Sequence, residues 1–383
     1  MASVAIAGAA NGQQQVVDLQ DGQLRAVTVA TGLVHPWSLA FLPNGDLLIA
    51  EQDGKIRLIR DGELLEEPVW TSPLFAELPD ALKSIAVHPD FATNGLVYAA
   101  YPTPQTERGN SLAIARGRLN GTSLENVEEI FVADAWESSG NLGGRILFGP
   151  DNTLYITVGD RDRLCCNGTD DTSLRIKAQD LSNHVGKTLR IRDDGGIPAD
   201  NPFVDRAGAK PEIFTFGHRN GYGLSFHPET GELWQAEIGP MGGDEVNILI
   251  AGHNYGWPLV STGRNYTGTE VSRSPWARPG MDNPRFHWVP SISPSSILFY
   301  TGDKFPDWRG NLFVGALTTR QLQRIAFNQP SQAEPRRGLL TELNIRVRDV
   351  AQSPDGYIYV ATEGSSGGPN ADGMVLRLEP GRR

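Results

Sequence analysis

Short runs in which apolar and polar residues alternate recur six times along the chain. Each is interrupted by a turn of Pro-Asp/Asn-Gly type and resumed by a second alternating run. The copies are WSLAFLPNGDLLIAEQDGKIRLI from Trp37, SIAVHPDFATNGLVYAAY from Ser84, RILFGPDNTLYITVGD from Arg145, YGLSFHPETGELWQAEIG from Tyr222, SILFYTGDKFPDWRGNLFVGALTTRQLQRIAF from Ser296 and RDVAQSPDGYIYVATEG from Arg348. Period-two alternation buries one face of each strand, and Pro and Gly pre-set the backbone angles that a reversal needs. A spacing of roughly 50–80 residues is long for a solenoid and suits four-stranded blades carrying insertions. Six copies therefore predict an all-β fold, a six-bladed β-propeller with four-stranded antiparallel blades. A pair of β-sandwiches gives no reason for six equivalent turns. The strand starts are expected to line a central channel, and the insertions 161–178, 193–212 and 261–290 to form loops over one face. No linker divides the chain, so residues 1–25 read as an N-terminal tail and 26–383 as one propeller domain.

Composition narrows the function more than the fold. The 43 glycines and 26 prolines among 383 residues favour short strands and turns over helices. A net charge of -11 with no basic face argues against nucleic acid and is compatible with calcium, although acidity also serves solubility. No run of about 18 apolar residues is present, so no membrane span is expected. The segment MASVAIAGAANG reads either as the remnant of a trimmed signal segment, implying a periplasmic or secreted protein, or as a disordered tail. The only cysteines, Cys165 and Cys166, are adjacent and could close only a strained eight-membered ring. Two free thiols in a loop is the plainer reading, their redox state is open, and two thiolates alone do not make a zinc site.

Candidate chemistry concentrates between Gly217 and Asn247. Arg219 beside Asn220 is suited to hold a carboxylate ligand, because a guanidinium fork grips it bidentately. About twenty residues on, the turn Gly239-Pro240-Met241-Gly242-Gly243-Asp244-Glu245 offers backbone carbonyls and a carboxylate, the hard oxygen ligands that calcium selects. Together they suggest an anionic cofactor bridged to the protein by a metal.

Ordered landmarks extend this reading over residues 30 to 380: GLVHPWSLAFLPNGDLLIAE, HPDF at His88–Phe91, AQDLSNHVGKTLRI from Ala178, GHRNGYG from Gly217, GPMGGDEVN, AGHNYGWP from Ala251, WVPSISPSS from Trp288 and RVRDVAQSPDG from Arg346. With these the chain resembles the soluble aldose sugar dehydrogenases of the glucose/sorbosone dehydrogenase type, quinoproteins that use pyrroloquinoline quinone (PQQ) and calcium. The resemblance implies oxidation of an aldose or related alcohol, with an electron acceptor the sequence does not name and a monomer or homodimer as the assembly. It places Arg219, Asn220, Arg346 and Arg348 around the quinone, whose carboxylates need paired charges when desolvated. It places the carbonyls of Gly239 and Pro240 on an active-site calcium, and Glu245 with the backbone oxygen of Tyr255 on a second, structural one.

Three positions depart from the family pattern. In Ser139-Gly140-Asn141-Leu142-Gly143-Gly144-Arg145, Asn141 stands where the family carries its general-base histidine, and an amide cannot accept a proton at neutral pH. Asp160 matches the acid that orients that histidine, and either substitutes through a water or caps its turn. Pro79 replaces a glutamine that contacts the cofactor, and Thr318 replaces a lysine, with Arg320 a neighbouring candidate to restore the charge. His88 and His227, each before a Pro, read as turn residues, and His218 as a candidate for the channel mouth. Three readings remain open: a PQQ- and calcium-dependent dehydrogenase, a catalytically degenerate or repurposed ligand-binding propeller, and a metal-dependent non-redox enzyme using the acidic loop 160–171.

Overall fold

Six strands surround a central axis in the computed structural model: Pro36–Phe41, Ser84–Val87, Gly143–Phe148, Gly221–Phe226, Pro294–Phe299 and Arg346–Gln352. Each packs against the next and the last returns to the first, so the ring closes. Each is also the innermost strand of an antiparallel sheet running outward, which makes six blades of a β-propeller. The structure describes residues 15–381 apart from 21–22, 74–80, 106, 108, 163–171, 275, 330–331 and 364–371. Pro79 and the Cys165-Cys166 pair lie outside the described residues.

The recurrent turns behave alike. Leu42 N–H donates to Asp46 O, Gly149 to Thr153 and Ser353 to Tyr357, at 2.8, 2.8 and 2.9 Å. The residue that turns the chain back lies in the left-handed region: Gly45 at φ 92, Asn152 at φ 61, Gly356 at φ 88. Only Gly, or less readily Asn, adopts that region cheaply. His88 and His227 serve these turns as read, their Nδ1 atoms accepting backbone N–H groups of Asp90 at 3.0 Å and Thr230 at 3.2 Å.

Stability is organised between blades rather than within them. One apolar cluster fills the gap between blades two and three, where Tyr98, Leu112 and Ile114 meet Leu154, Ile156 and Leu189. Another joins blades four and five through Trp234, Val246, Val314 and Ile325. Burying each such side chain contributes about 1.5–3 kcal/mol.

The expected domain boundary at residue 26 falls too late. Val16–Leu19 pairs with Leu24–Leu33, which itself pairs with the C-terminal strand Gly373–Pro380 and completes blade six. Leu19 and Leu24 are buried there, so burial anchors the strand that a composition-based reading assigns to a tail. Among the described residues no helix is long and apolar enough to cross a membrane.

One ion pair closes the channel partway along. Arg145 of blade three donates to Asp349 of blade six at 2.9 Å, and to the carbonyls of Tyr222 in blade four at 2.7 Å and Ser295 in blade five at 3.4 Å. Asp349 Oδ2 also accepts Leu39 N–H of blade one at 2.7 Å. Five blades thus meet at one ion pair, whose carboxylate is buried. On one side lies an apolar cavity of about 410 Å³ lined by later inner-strand residues such as Phe41, Val87 and Leu298. On the other lies the mouth formed by the strand starts.

Candidate active site

The mouth owes its side-chain directions to bulges. Five of the six inner strands slip register just after their start, at Pro36/Ser38, Gly143/Ile146, Gly221/Gly223, Pro294/Ser296 and Val347/Asp349. A bulge re-aims the extra residue. Trp37, Arg145, Tyr222, Ser295 and Arg348 are the residues so placed, and Trp37 meets Tyr222 edge-on with ring centroids 6.2 Å apart.

Asn141 and Asp160 meet directly. Asn141 Nδ2 donates to Asp160 Oδ1 at 2.9 Å, Trp257 Nε1 donates to Oδ2 at 2.8 Å, and Asp162 N–H to Oδ1 at 3.1 Å. Asp160 N–H donates to the carbonyl of Arg219 at 2.7 Å, which fixes blade three against blade four. Asp160 is fully buried. Burial raises its carboxyl above the ordinary value against the opposing pull of Arg219, and Asp162 raises it further.

Arg219 is almost as buried. Its N–H donates to Glu237, its guanidinium to the carbonyls of Ile238 and Gly239 at 2.8 and 2.9 Å, and it lies 5.5 Å from the Trp257 ring centroid. Its Nε is buried with no acceptor among the described residues. Asn220 Oδ1 accepts Gly143 N–H at 3.2 Å, so the Arg-Asn pair is joined to the strand that follows Asn141.

Arg346 and Arg348, two apart on one strand, project to one side, and both bind Glu363. Burial opposes ionisation of Glu363, but the two guanidiniums outweigh it and hold its carboxyl below the usual range. Arg348 also lies 3.8 Å from the Trp37 ring centroid. Thr318 is exposed on the adjoining rim, hydrogen-bonded to Ser293 at 2.7 Å, while Arg346 reaches the Leu317 carbonyl at 3.5 Å. Arg320 instead donates to the Asn344 carbonyl at 3.2 Å.

In the glycine-rich turn Asp244 points inward: Oδ1 accepts Gly239 N–H at 2.9 Å, and Oδ2 accepts Ser291 Oγ and the N–H groups of Ile292 and Ser293 at 2.7–2.8 Å. These donors come from a segment more than forty residues away and take up the carboxylate. Gly239 is forced, since a Cβ there would lie 2.3 Å from Gly242 O. Pro240 stacks on Gly263, where a Cβ would meet its ring at 3.0 Å.

Glu245 faces Glu237 around a void of about 10 Å³, room for one water or ion, also lined by Gly243 and Ser261. Burial, then the charge of Glu237, raises the Glu245 carboxyl well above its usual value. Asn247 Nδ2 bridges both acids at 2.7 and 3.3 Å, and its Oδ1 is buried without a partner among the described residues. Tyr255 does not line this void. Its ring stacks on His218 with centroids 4.8 Å apart, and its phenol bonds Ile248 O and Ile250 N–H. His218 is buried, not at the mouth, and is held between Thr215 and Glu237 at 2.9 and 3.0 Å. Among the described residues no three His, Cys, Asp or Glu side chains converge on a metal position.

With this geometry in place, the comparison with known proteins is direct: the family model for glucose/sorbosone dehydrogenase matches residues 33–375. The chain belongs to the glucose/sorbosone dehydrogenase family. An aldose sugar dehydrogenase of Escherichia coli (strain K12) is 36% identical over 341 residues, covering 88% of this chain and 89% of that one. An uncharacterised protein of Synechocystis is 38% identical over 379 residues, covering 95% and 89%. The PQQ-bound form of an aldose sugar dehydrogenase from Streptomyces coelicolor superposes with a TM-score of 0.71 at 27% identity, covering 97% and 99%.

Three residues of this site escaped the sequence reading. Trp257 sits in the AGHNYGWP landmark but nothing in its spacing announces a bond to Asp160. Glu363 is register-paired with Arg346, a signal available only once strands are aligned. Glu237 ends the strand preceding the turn and anchors both His218 and Arg219.

Proposed function

We propose that this chain is a quinoprotein oxidoreductase that oxidises an aldose sugar or related alcohol, with PQQ at the channel mouth and calcium beside it. The observation that carries the reading is the buried Arg219 at the start of blade four, whose Nε–H has no acceptor among the described residues. That orphaned donor fits an anionic group, since a buried guanidinium N–H left unpaired costs about 1–3 kcal/mol. Family membership and the PQQ-bound relative supply the identity of the anion.

When bound, the quinone supplies a two-electron acceptor for the sugar's C1 hydroxyl. The chain's own residues supply the rest. Arg219 and Asn220 bind from blade four, and Arg346 and Arg348 from blade six, oriented by Glu363. Trp37 and Tyr222 form apolar walls, and the Arg145–Asp349 pair closes the floor of the mouth. Asp160 is the titratable group beside Asn141, positioned by Trp257. Calcium fits the Glu237–Glu245 void, because two opposed carboxylates are the hard oxygen donors such a cation takes. The Gly239 carbonyl is already engaged by Arg219 and offers one remaining lone pair, with Pro240 O beside it.

A second reading has its own support. Asn141 cannot serve as a base, so the same mouth would bind PQQ, or another carboxylate ligand, without turnover. Purified apoprotein titrated with PQQ and calcium, followed by absorbance and then by aldoses with a dye acceptor, separates the two. Binding with turnover supports the dehydrogenase, binding without turnover the degenerate site. No PQQ binding would sink both quinone readings.

A further inference from the structure

Resting on the reading just given, we propose that the blade-four lip of the mouth is a docking surface for an acidic, electron-carrying protein. The lip consists of the insertion 261–290 and the turn that carries Gly239 and Met241. A two-way backbone bridge joins them, Met241 N–H to Arg264 O at 3.0 Å and Arg264 N–H to Met241 O at 3.3 Å. Gly242 packs on Val289 across the same edge, where a Cβ would lie 3.4 Å from the valine side chain. Met241, Tyr266, Trp276 and Val289 all stand on this lip, against four exposed large apolar side chains elsewhere among the described residues. Trp276 is 63 % exposed and Val289 60 %. The Trp276 ring meets His287 edge-on at 5.2 Å and leaves most of its surface to water.

The lip also reverses the sign of the molecule. Residues 261–290 carry Arg264, Arg273, Arg278 and Arg285 against Glu270 and Asp282, in a chain of net charge -11. None of these arginines is ion-paired to a carboxylate among the described residues, whereas Asp282 is taken by His253 at 2.6 Å. Arg336 adds a guanidinium from the outer strand of blade five, donating to His287 O at 3.3 Å and lying 4.8 Å from the Trp288 ring centroid. The neighbouring acids Glu237 and Asp244 are buried and bonded inward, and Glu245 lines the void. Exposed Trp, Tyr, Met and Arg are what protein interfaces enrich, and unpaired guanidiniums on an acidic protein select an acidic face. Two-fold pairing with a second copy would set these arginines against themselves. The proposed reaction supplies the rest of the partner's chemistry. Each sugar oxidised leaves two electrons and two protons at the mouth; the protons pass to water, and the partner is reduced by one electron in each of two visits.

Plastocyanin, an acidic blue-copper protein that bleaches on taking one electron, is the probe, with basic cytochrome c as the charge-reversed control. Its Kd and association rate would be measured at low and high salt with the full chain as wild type, Trp276→Ala, Arg273→Gln/Arg278→Gln and a blade-two control, Arg118→Gln. All four substituted side chains are exposed, and melting curves check the fold. Wild type should bind, and Trp276→Ala should weaken Kd about 10-fold or more, as for a central aromatic anchor. The arginine pair should slow association about 3- to 10-fold at low salt only. Arg118→Gln should match wild type, and cytochrome c should not distinguish the lip variants from it. With chemically reduced PQQ loaded, so that Asn141 has no part, the bleaching rates should follow the same order. No binding by wild type, equal binding by wild type and both lip variants, or light scattering that shows a dimer the lip variants dissolve would each overturn the docking surface. A lip that captures plastocyanin on a protein that binds no PQQ would overturn the reading beneath and leave the surface standing.

Discussion

Replacing Asn141 with histidine tests whether the mouth lacks only a base. Asn141 Nδ2 lies 2.9 Å from Asp160 Oδ1. A histidine ring branches from the same Cγ, so its Nδ1 takes the position of that amide nitrogen and keeps the bond to Asp160. The far ring nitrogen then points away from the acid, neutral near pH 7 and able to accept a proton. A positioned general base contributes about 10²–10⁴ in rate, or roughly 3–5 kcal/mol of barrier. Wild type and Asn141→His would be loaded with PQQ and calcium, their PQQ affinities compared by absorbance titration, and aldose oxidation followed with a dye acceptor across pH. The variant's kcat should rise by that factor and acquire an acidic limb from imidazole protonation. PQQ affinity should change by less than about twofold, since the base acts in the transition state and not in cofactor binding. Equal PQQ affinity with an unchanged kcat at every pH and for every aldose would refute the assignment of Asn141 to the base's place.

Further outcomes follow from the same contacts. Asp160→Asn turns an acceptor of two side-chain donors into a group that must present one donor to another, so unfolding in urea should show a loss of about 1–3 kcal/mol; an unchanged midpoint would mean the Asn141–Asp160–Trp257 chain does not form in solution. Because the Glu245 carboxyl is raised above its ordinary 4.5, its contribution to apoprotein stability is full below that value and lost as pH rises through the folded value. Calcium-free melting temperature should therefore fall from about pH 4.5 towards neutrality, whereas the shift on adding calcium should grow over the same range as the acid ionises; a calcium shift indifferent to pH, or one kept in Glu245→Gln, argues against the void as the site. Arg145→Met leaves Asp349 buried without its guanidinium and should cost about 3–5 kcal/mol in a denaturant melt, with Arg145→Met/Asp349→Leu recovering most of it; additive losses in the double variant would contradict the five-blade junction.

The blades were legible because their signal is local. Alternation sets each strand's buried face, and Gly45, Asn152 and Gly356 mark where φ must turn positive. The strand Val16–Leu19 was not, because four residues carry too short a pattern and its sheet is completed by Gly373–Pro380 at the other end of the chain. The site divides the same way. Arg219 with Asn220 could be read as neighbours in sequence, and Arg346 with Arg348 as residues two apart on one face of a strand. The engagement of Asp244 was not legible, because its donors Ser291 to Ser293 come from a distant loop. Glu363, Glu237 and Trp257 act through tertiary contacts that no spacing records.

These long-range contacts also decide what a titration of the mouth would report. An imidazole at position 141 would share its proton with Asp160, and the two would titrate as a coupled pair. With an amide there, residue 141 carries no titratable proton, and Asp160 is the acid in direct contact with it. Neutral donors from Asn141 and Trp257 stabilise its charged form less than an imidazolium would, while complete burial favours the protonated form against Arg219. Any proton moved at this end of the mouth therefore falls to Asp160, and its carboxyl is displaced in the direction a weak base requires. On the proposed reading of Asn141, the protonation of buried Asp160 is what a pH–rate profile of the wild-type protein would read.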